Sequence, residues 1–374
     1  MKHKSIKSVL VGVAALVGLM VVLPQYQPSA AEAPQPLQAA ASSSAVSSAP
    51  AQLPAESTFQ IDFIDVGQAD SALVRCDGHA MLVDGGNVAD SSLLYTYLKD
   101  RALDHLDYVV ATHPHEDHVG GLAGALSYAT ADTVLSPVTQ YDGDAFADFK
   151  KKAGTLQVPA VGDSFDLGSA TVHILGLNAG EGNDTSIVLK LEYGQTSFLF
   201  TGDAEYAAEQ AMMDSGQDLS ATVLKAGHHG SSTSTSYHFL REVMPQYTVI
   251  SVGKDNSYGH PDETVLSRLR DAGTEVLRTD LQGDIICTSD GRRVTFTTEK
   301  EAEAPTNPTE ADGSGQMAQQ PASVPAGQYI GNRNSYKFHR TTCSTLPKEK
   351  NRIYFNSREE AIAAGMQPCK RCNP

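Results

Sequence analysis

The sequence predicts a layered α/β sandwich followed by a small module stapled by metal. Three observations predict it. Strand and helix signals alternate through residues 57–298, a dense set of metal-ligand residue types follows one of those strands, and four more recur near the C-terminus. The 374 residues allow two or three domains of roughly 150 residues each. With 41% hydrophobic and 19% charged residues the chain can bury a sizeable core, which excludes disorder throughout. A formal charge of −16 excludes a chain that coats nucleic acid along its whole length. The charge divides unevenly: residues 57–298 carry 15 Lys/Arg against 34 Asp/Glu, whereas 329–374 carry 9 against 3.

Taken in order, residues 1–31 place Lys2, Lys4 and Lys7 before an apolar run over 9–23 and then Ser29, Ala30 and Ala31. That is the pattern of a secretory signal, with an uncleaved membrane anchor as the alternative, although the run is short of the about 20 residues a spanning helix needs. No cysteine follows the run, which excludes a lipoprotein-type anchor. Both readings put the remainder outside the cytoplasm, secreted or at the cell surface. Residues 32–56 are rich in Ala, Ser, Pro and Gln and read as a flexible linker. Residues 299–327, acidic and punctuated by Pro305, Pro308, Pro321 and Pro325, read as a second one.

Between the linkers, apolar residues alternate over 59–65, and strands 72–76 and 80–84 flank the hairpin signal Asp77-Gly78. A helical period follows over 91–101, then a short buried strand at 108–111 and another at 170–175. Strands 186–193 and 197–201 form a hairpin across Gly194. Helix 205–214, strand 222–226, helix 238–243, strand 247–252 and helix 264–272 come next. Gln282-Gly283 and Asp290-Gly291 are expected to turn two further hairpins. Cys76 and Cys287 fall in strands, as buried thiols or a local pair.

Chemistry concentrates after strand 108–111, in Thr112-His113-Pro114-His115-Glu116-Asp117-His118. Four potential ligands in six residues suit two adjacent ions, His113 and His115 facing one, Asp117 and His118 the other. Imidazole with carboxylate fits zinc, with manganese or iron as alternatives. A bound divalent cation lowers the pKa of water from 15.7 towards about 7, supplying hydroxide at neutral pH.

This H-x-H-x-D-H run resembles the signature of the metallo-β-lactamase-fold hydrolases. The segments Phe63-Ile64-Asp65-Val66-Gly67-Gln68-Ala69-Asp70-Ser71, Asp84-Gly85-Gly86, Asn183-Asp184-Thr185-Ser186 and Thr201-Gly202-Asp203 extend the likeness. With Gly227-His228-His229-Gly230-Ser231 and Ser257-Tyr258-Gly259-His260-Pro261, residues 57–298 look like the extracellular hydrolase domain of ComEC-type competence proteins. The resemblance implies a four-layer αββα sandwich with a binuclear metal site at the strand ends. It implies Asp203 as the carboxylate bridging both ions and Asp84 as a buried acid beneath the histidine loop. Asn183 and Ser186 stand where many relatives carry another ligand histidine, which leaves one ion short of protein ligands. The last ligand histidine is His228 or His229, or else His260, the first pair being favoured. Asp117 and whichever of His228, His229 and His260 is left over are the candidate catalytic groups, the histidine to protonate a leaving group. Ser231, Ser232 and Asn256 are candidate donors to a phosphate.

At the C-terminus, His339 and Cys343 followed by Cys369 and Cys372 give H-x₃-C and C-x₂-C, the donor set of a closed structural zinc site. Three cysteines cannot all pair with one another, and a segment of this size needs a staple. Residues 328–374 resemble the Ada-type metal-binding domain, with His339 where that family has cysteine. Lys337, Arg340, Lys348, Lys350 and Arg352 lie among Tyr329, Tyr336 and Phe338, a mix that suits nucleic-acid contacts and equally a solvated basic face.

The expectation is a secreted or surface-anchored hydrolase with two divalent ions, zinc or manganese, plus one structural zinc, cleaving phosphodiesters and most of all DNA. A small ester, lactam or phosphocholine is the alternative substrate, favoured by the acidic domain. A catalytically inactive DNA-binding surface protein is the third reading. No protein partner can be read from the residues.

Overall fold

Apolar side chains on both faces of the early strands demand a covering layer on each side. In strand β1 (Phe59–Phe63), Phe59, Ile61 and Phe63 face one core, as do Val74 and Cys76 of β2 (Ala72–Cys76). Leu73 of β2, with Ala80 and Leu82 of β3 (His79–Val83), faces another. A strand buried on both faces belongs in the interior of an α/β stack.

A computed structural model describes residues 53–54, 56–178, 182–306, 329–332, 337–348, 352–355, 358–363, 366–372 and 374. The expected signal segment (1–31), nearly all of the first linker (32–56) and most of the second (299–327) lie outside the described residues. Among the described residues no helix is long and apolar enough to cross a membrane.

Two seven-stranded sheets form the body. The first adds β4 (His105–Val110), β5 (Thr130–Leu135), β13 (Ile285–Ser289) and β14 (Val294–Thr298), in the order β14-β13-β1-β2-β3-β4-β5. The second holds β6 (Ser164–Leu167), β7 (Ala170–Gly176), β8 (Val188–Tyr193), β9 (Thr196–Phe200), β10 (Val223–Lys225), β11 (Tyr247–Ile250) and β12 (Glu275–Arg278), in the order β12-β11-β10-β9-β8-β7-β6. Each sheet is antiparallel in one part and parallel in the other: β3, β4 and β5 run parallel in the first, β9 to β12 in the second. Their inner faces share one core, where Phe59 stacks on Phe198 at 4.7 Å and Phe63 on Phe200 at 5.7 Å.

Helices close the outer faces. On the first sheet, α1 (Ser91–Asp100), α2 (Glu116–Val119), α3 (Leu122–Tyr128) and α4 (Asp144–Ala153) bury Leu94, Leu98, Val119, Leu122, Phe146 and Phe149. On the second, α5 (Tyr206–Ser215), α6 (Tyr237–Val243) and α7 (Glu263–Ala272) bury Met212, Phe239, Leu240, Val265 and Leu269. The result is the α/β, four-layer αββα arrangement that the resemblance implied.

One expected turn is corrected. Gln282-Gly283 does not close a hairpin: α8 (Thr279–Gln282) ends there, Gly283 takes φ +67°, and the chain crosses from β12 in the second sheet to β13 in the first. The Asp290-Gly291 hairpin is present. Cys76 and Cys287 are buried free thiols on β2 and β13, separated by β1.

The C-terminal residues build their own four-stranded sheet, ordered β17-β15-β16-β18, from β15 (Tyr329–Asn332), β16 (Lys337–Arg340), β17 (Arg352–Phe355) and β18 (Gln367–Pro368). With α9 (Arg358–Ala363) it encloses, among the described residues, a small cluster of Phe338, Phe355, Ala361 and Met366.

Candidate metal centre

Side chains with ligand chemistry emerge at the carboxyl ends of strands from both sheets, where open α/β sheets place their sites. His113, His115, Asp117 and His118 follow β4, and Asp84 follows β3. Asp203 follows β9, and His228 and His229 follow β10. Two glycine pairs let these loops interlock. A Cβ on Gly121 would lie 2.0 Å from the carbonyl oxygen of Gly85, so backbone meets backbone there with no side chain to yield. Gly85 N–H in turn donates to the His118 carbonyl at 2.6 Å, fixing the histidine loop over Asp84.

Asp203 stands at the middle. Its Oδ1 lies 3.3 Å from His118 Nε2, and its Oδ2 lies 3.6 Å from His228 Nε2, 3.7 Å from His229 Nε2 and 3.8 Å from His113 Nε2. Asp117 Oδ2 is 3.3 Å from His229 Nε2. Ligand atoms of Asp117, His118, Asp203 and His229 all fall within 4.8 Å of one another. His113 Nε2 lies 3.0 Å from His115 Nδ1, which brings His115 to the edge of the same group, and His113 shares Asp203 Oδ2 with His228. His118 Nε2, His229 Nε2 and Asp203 Oδ1 are buried without a directed hydrogen-bond partner. Buried polar atoms seldom stay unpaired, so convergent orphan imidazole and carboxylate atoms fit divalent ions.

Outer partners fix each ring. Asp84, 2% exposed, accepts from Thr112 N–H and the Thr112 hydroxyl, both at 2.7 Å, and from His118 Nδ1 at 2.8 Å. With Nδ1 committed, His118 presents Nε2 inward. His229 Nδ1 faces Asp70 Oδ1 and the Ser251 carbonyl, each at 3.1 Å, and likewise presents Nε2. Asp70 is paired through Oδ2 with the buried ammonium of Lys225 at 2.8 Å. On the His228 side, Nδ1 is 3.4 Å from Glu205 Oε1, which also accepts from Asn183 Nδ2 at 3.2 Å. Ser186 Oγ accepts from Asp203 N–H at 3.1 Å.

Burial works against every charge here, and the partners decide the outcome. Desolvation opposes ionised Asp203, but His118 and His229 hold its carboxyl well below the usual range. The imidazole of His229, despite its burial, is pushed up to about 10 by Asp203 and Asp70. Burial and the charge of His118 together press His113 well below the ordinary histidine value. Backbone strain marks the same place: Asp84, His228 and His229 all adopt left-handed conformations, at φ 57°, 50° and 53°. Non-glycine residues pay of order 1–3 kcal/mol for such conformations and hold them only where surroundings impose them.

The structure therefore brings His113, His115, Asp117, His118, Asp203, His228 and His229 together, with Asp84, Asn183 and Ser186 behind them. Both members of the His228/His229 pair reach Asp203, and His228 stands beside Asn183, where the sequence reading left one ion short. His260 sits further out, its ring 5.8 Å from that of His228. Asn256 is corrected as a phosphate donor. Its Nδ2 donates to the carbonyls of Gly253 and His260, and its Oδ1 accepts from the N–H groups of Tyr258 and His260. Asp70, Lys225 and Glu205 had no assigned role. A lysine inside the apolar strand 223–225 was the available signal, since a buried ammonium requires a carboxylate.

In the C-terminal sheet, His339, Cys343, Cys369 and Cys372 place their ligand atoms within 4.8 Å of one another, with His339 Nδ1 3.3 Å from Cys343 Sγ. Burial opposes the Cys369 thiolate, but backbone N–H groups of Cys372 and Arg371 bring its pKa down to about 7. One imidazole and three thiols at this spacing fit a closed zinc site.

Comparison with known proteins agrees with both clusters. The family model described as the metallo-beta-lactamase superfamily matches residues 64–254, and that of the metal binding domain of Ada matches residues 319–374. The chain is 30% identical over 251 residues to ComE operon protein 3 of Bacillus subtilis, covering 60% of this chain and 32% of that protein. It is 33% identical over 221 residues to competence protein ComA of Neisseria gonorrhoeae, covering 59% and 30% respectively. The chain thus spans about a third of the length of the curated relatives it matches. Among solved structures, the metallo-beta-lactamase fold protein YhfI from Bacillus subtilis aligns with a TM-score of 0.44 at 14% identity, over 62% of this chain and all of that one.

Proposed function

The chain belongs to the metallo-beta-lactamase superfamily, and from that premise we propose that it is a secreted or surface-anchored phosphodiesterase whose substrate is DNA. The observation that carries the reading is Asp203, whose Oδ1 lies 3.3 Å from His118 Nε2 and whose Oδ2 lies 3.6 to 3.8 Å from Nε2 of His228, His229 and His113. A carboxylate so placed suits a pair of divalent ions, zinc or manganese. Asp117, His118 and His229 would hold one and His113, His115 and His228 the other, with Asp203 between them. Such ions supply charge neutralisation and an acidified water to phosphoryl transfer. Asp84, Asp70 and Glu205 keep the histidine rings turned to the centre. His260, its ring 5.8 Å from that of His228, is the group placed to hand a proton to a leaving oxygen.

DNA is preferred as substrate because a relative of 33% identity is a competence protein and because the C-terminal residues expose Lys337, Arg340, Lys370 and Arg371 around their cluster of ligand atoms. Phosphate-attracting charge there offsets the net −19 of residues 57–298. That same acidity supports a second reading, a small ester, lactam or phosphocholine substrate. The test incubates purified, metal-analysed protein with labelled single- and double-stranded DNA and Mn²⁺ or Zn²⁺, beside an Asp117→Ala, His118→Ala variant. Cleavage by the parent alone supports the nuclease. Full metal occupancy with intact DNA refutes it and turns the search to small esters and phosphocholine.

A further inference from the structure

Two exposed aromatic rings stand beside the centre. Tyr141 and Tyr258 are 43% and 71% exposed. A solitary exposed tyrosine needs no explanation, but each of these rings packs on a histidine of the same centre. Tyr141 lies 6.2 Å from the His115 ring, and Tyr258 stacks on His260 at 5.8 Å with planes 20° apart. Successive contacts run from Tyr141 to His115, to His113 at 3.0 Å, through Asp203 to His228, and on to His260 and Tyr258. The two rings stand at the ends of a single run of contacts that crosses the metal-ligand set.

Both are pre-positioned. Tyr141 sits edge-on against buried Phe146 at 5.9 Å and lines a cavity of about 570 Å³ with Gly182, Thr185 and Pro114, the residue that joins His113 to His115. Tyr258 is carried on the loop that Asn256 ties with four hydrogen bonds. The surrounding domain is strongly acidic, so a polyanion gains little attraction from it beyond the centre itself. Aromatic faces supply affinity independent of charge, because every nucleobase has a π-face. In a duplex those faces are hidden in the base stack.

We infer that Tyr141 and Tyr258 stack unpaired nucleobases flanking the scissile phosphate, so that single strands are the substrate form this centre takes. The inference rests on the phosphodiester reading above. Its test uses metal-loaded full chain and three oligonucleotides of one length: a single strand with bases, the same strand with tetrahydrofuran abasic residues at its centre, and a duplex. The parent is expected to cleave the base-bearing strand at least tenfold more efficiently than the abasic strand or the duplex. Tyr141→Ala and Tyr258→Ala should each remove about tenfold of that advantage, chiefly through KM, while Tyr141→Phe and Tyr258→Phe retain it. Equal cleavage of base-bearing and abasic strands by the parent overturns the inference, as does an advantage that survives both alanine variants. If the parent cleaves no strand at all, the phosphodiester reading itself falls.

Discussion

Replacing Asp70 with Asn separates what holds the fold from what aims the metal site. Asp70 is 5% exposed and holds two cationic groups at once, Lys225 Nζ at 2.8 Å and His229 Nδ1 at 3.1 Å. Burial opposes its ionisation, yet Lys225 and His229 keep its carboxyl far below the ordinary aspartate value. Asparagine preserves the shape and deletes the charge. Lys225 then keeps only neutral acceptors, the Ala226 carbonyl at 3.0 Å and the amide oxygen that replaces the carboxylate, and no compensating charge. Leaving one member of a buried pair uncompensated costs about 3–5 kcal/mol. Losing the partner that orients a ligand histidine costs about 10- to 100-fold in metal affinity. Urea unfolding of metal-free protein reads the first effect, and competition against a fluorescent chelator reads the second. A double variant, Asp70→Asn with Lys225→Met, removes the stranded ammonium. It should recover most of the stability while the affinity stays low. Parent-like affinity in Asp70→Asn would refute the orienting role, and so would recovery of affinity in the double variant.

Two further outcomes follow from the same reasoning. Cys372→Ser should cost one equivalent of bound zinc and expose residues 329–374 to proteolysis, because the apolar cluster of that sheet comprises little more than Phe338, Phe355, Ala361 and Met366; the melting of the larger body should not move. Glu209 is a buried carboxylate that burial pushes up to about 7, against the N–H groups of Thr235 and Ser236 and the charge of Arg268. Between pH 4.5 and 7 the unfolded chain releases this proton while the folded one keeps it. Its contribution is therefore undiminished below pH 4.5 and declines by about 3 kcal/mol as pH climbs to 7. Unfolding of parent and Glu209→Gln at pH 5 and pH 8 checks this, the parent losing more.

The parts legible in sequence were those set by short-range rules. Asp77-Gly78 and Gly194 turn the expected hairpins, and the ligand run after β4 sits where a strand end and two glycines hold it. Non-local effects were less legible. β5, α4 and β6 went unremarked, since a half-exposed edge strand such as β5 shows little apolar alternation. Gln282-Gly283 has hairpin chemistry, yet which sheet receives the next strand depends on tertiary pairing. The choice among His228, His229 and His260 turned on strain, because two consecutive left-handed residues send both histidines of the pair to Asp203. Asp70 lies within the segment 63–71, but its partner Lys225 is 155 residues away.

The centre belongs to neither sheet alone, which makes metal a fastener as well as a reagent. His113, His115, Asp117 and His118 extend from the first sheet, and Asp203, His228 and His229 from the second. Contacts across Asp203 are at 3.3 to 3.8 Å, longer than good hydrogen bonds, and the seam between these loops is tied instead beside the centre by Asp70, 2.8 Å from Lys225 Nζ and 3.1 Å from His229 Nδ1. An ion bound by donors from both sides links them only in the folded state. Its binding energy is therefore folding energy, about 2.7 kcal/mol when free metal is a hundred times the dissociation constant. Urea unfolding of the full chain with and without Mn²⁺ at that excess over both sites should differ by about twice that amount. Asp203→Ala removes the one residue that faces both histidine sets, and should abolish the difference rather than halve it. A variant that retains half the metal-induced stabilisation would show that the two sets bind independently, and would refute Asp203 as their shared ligand.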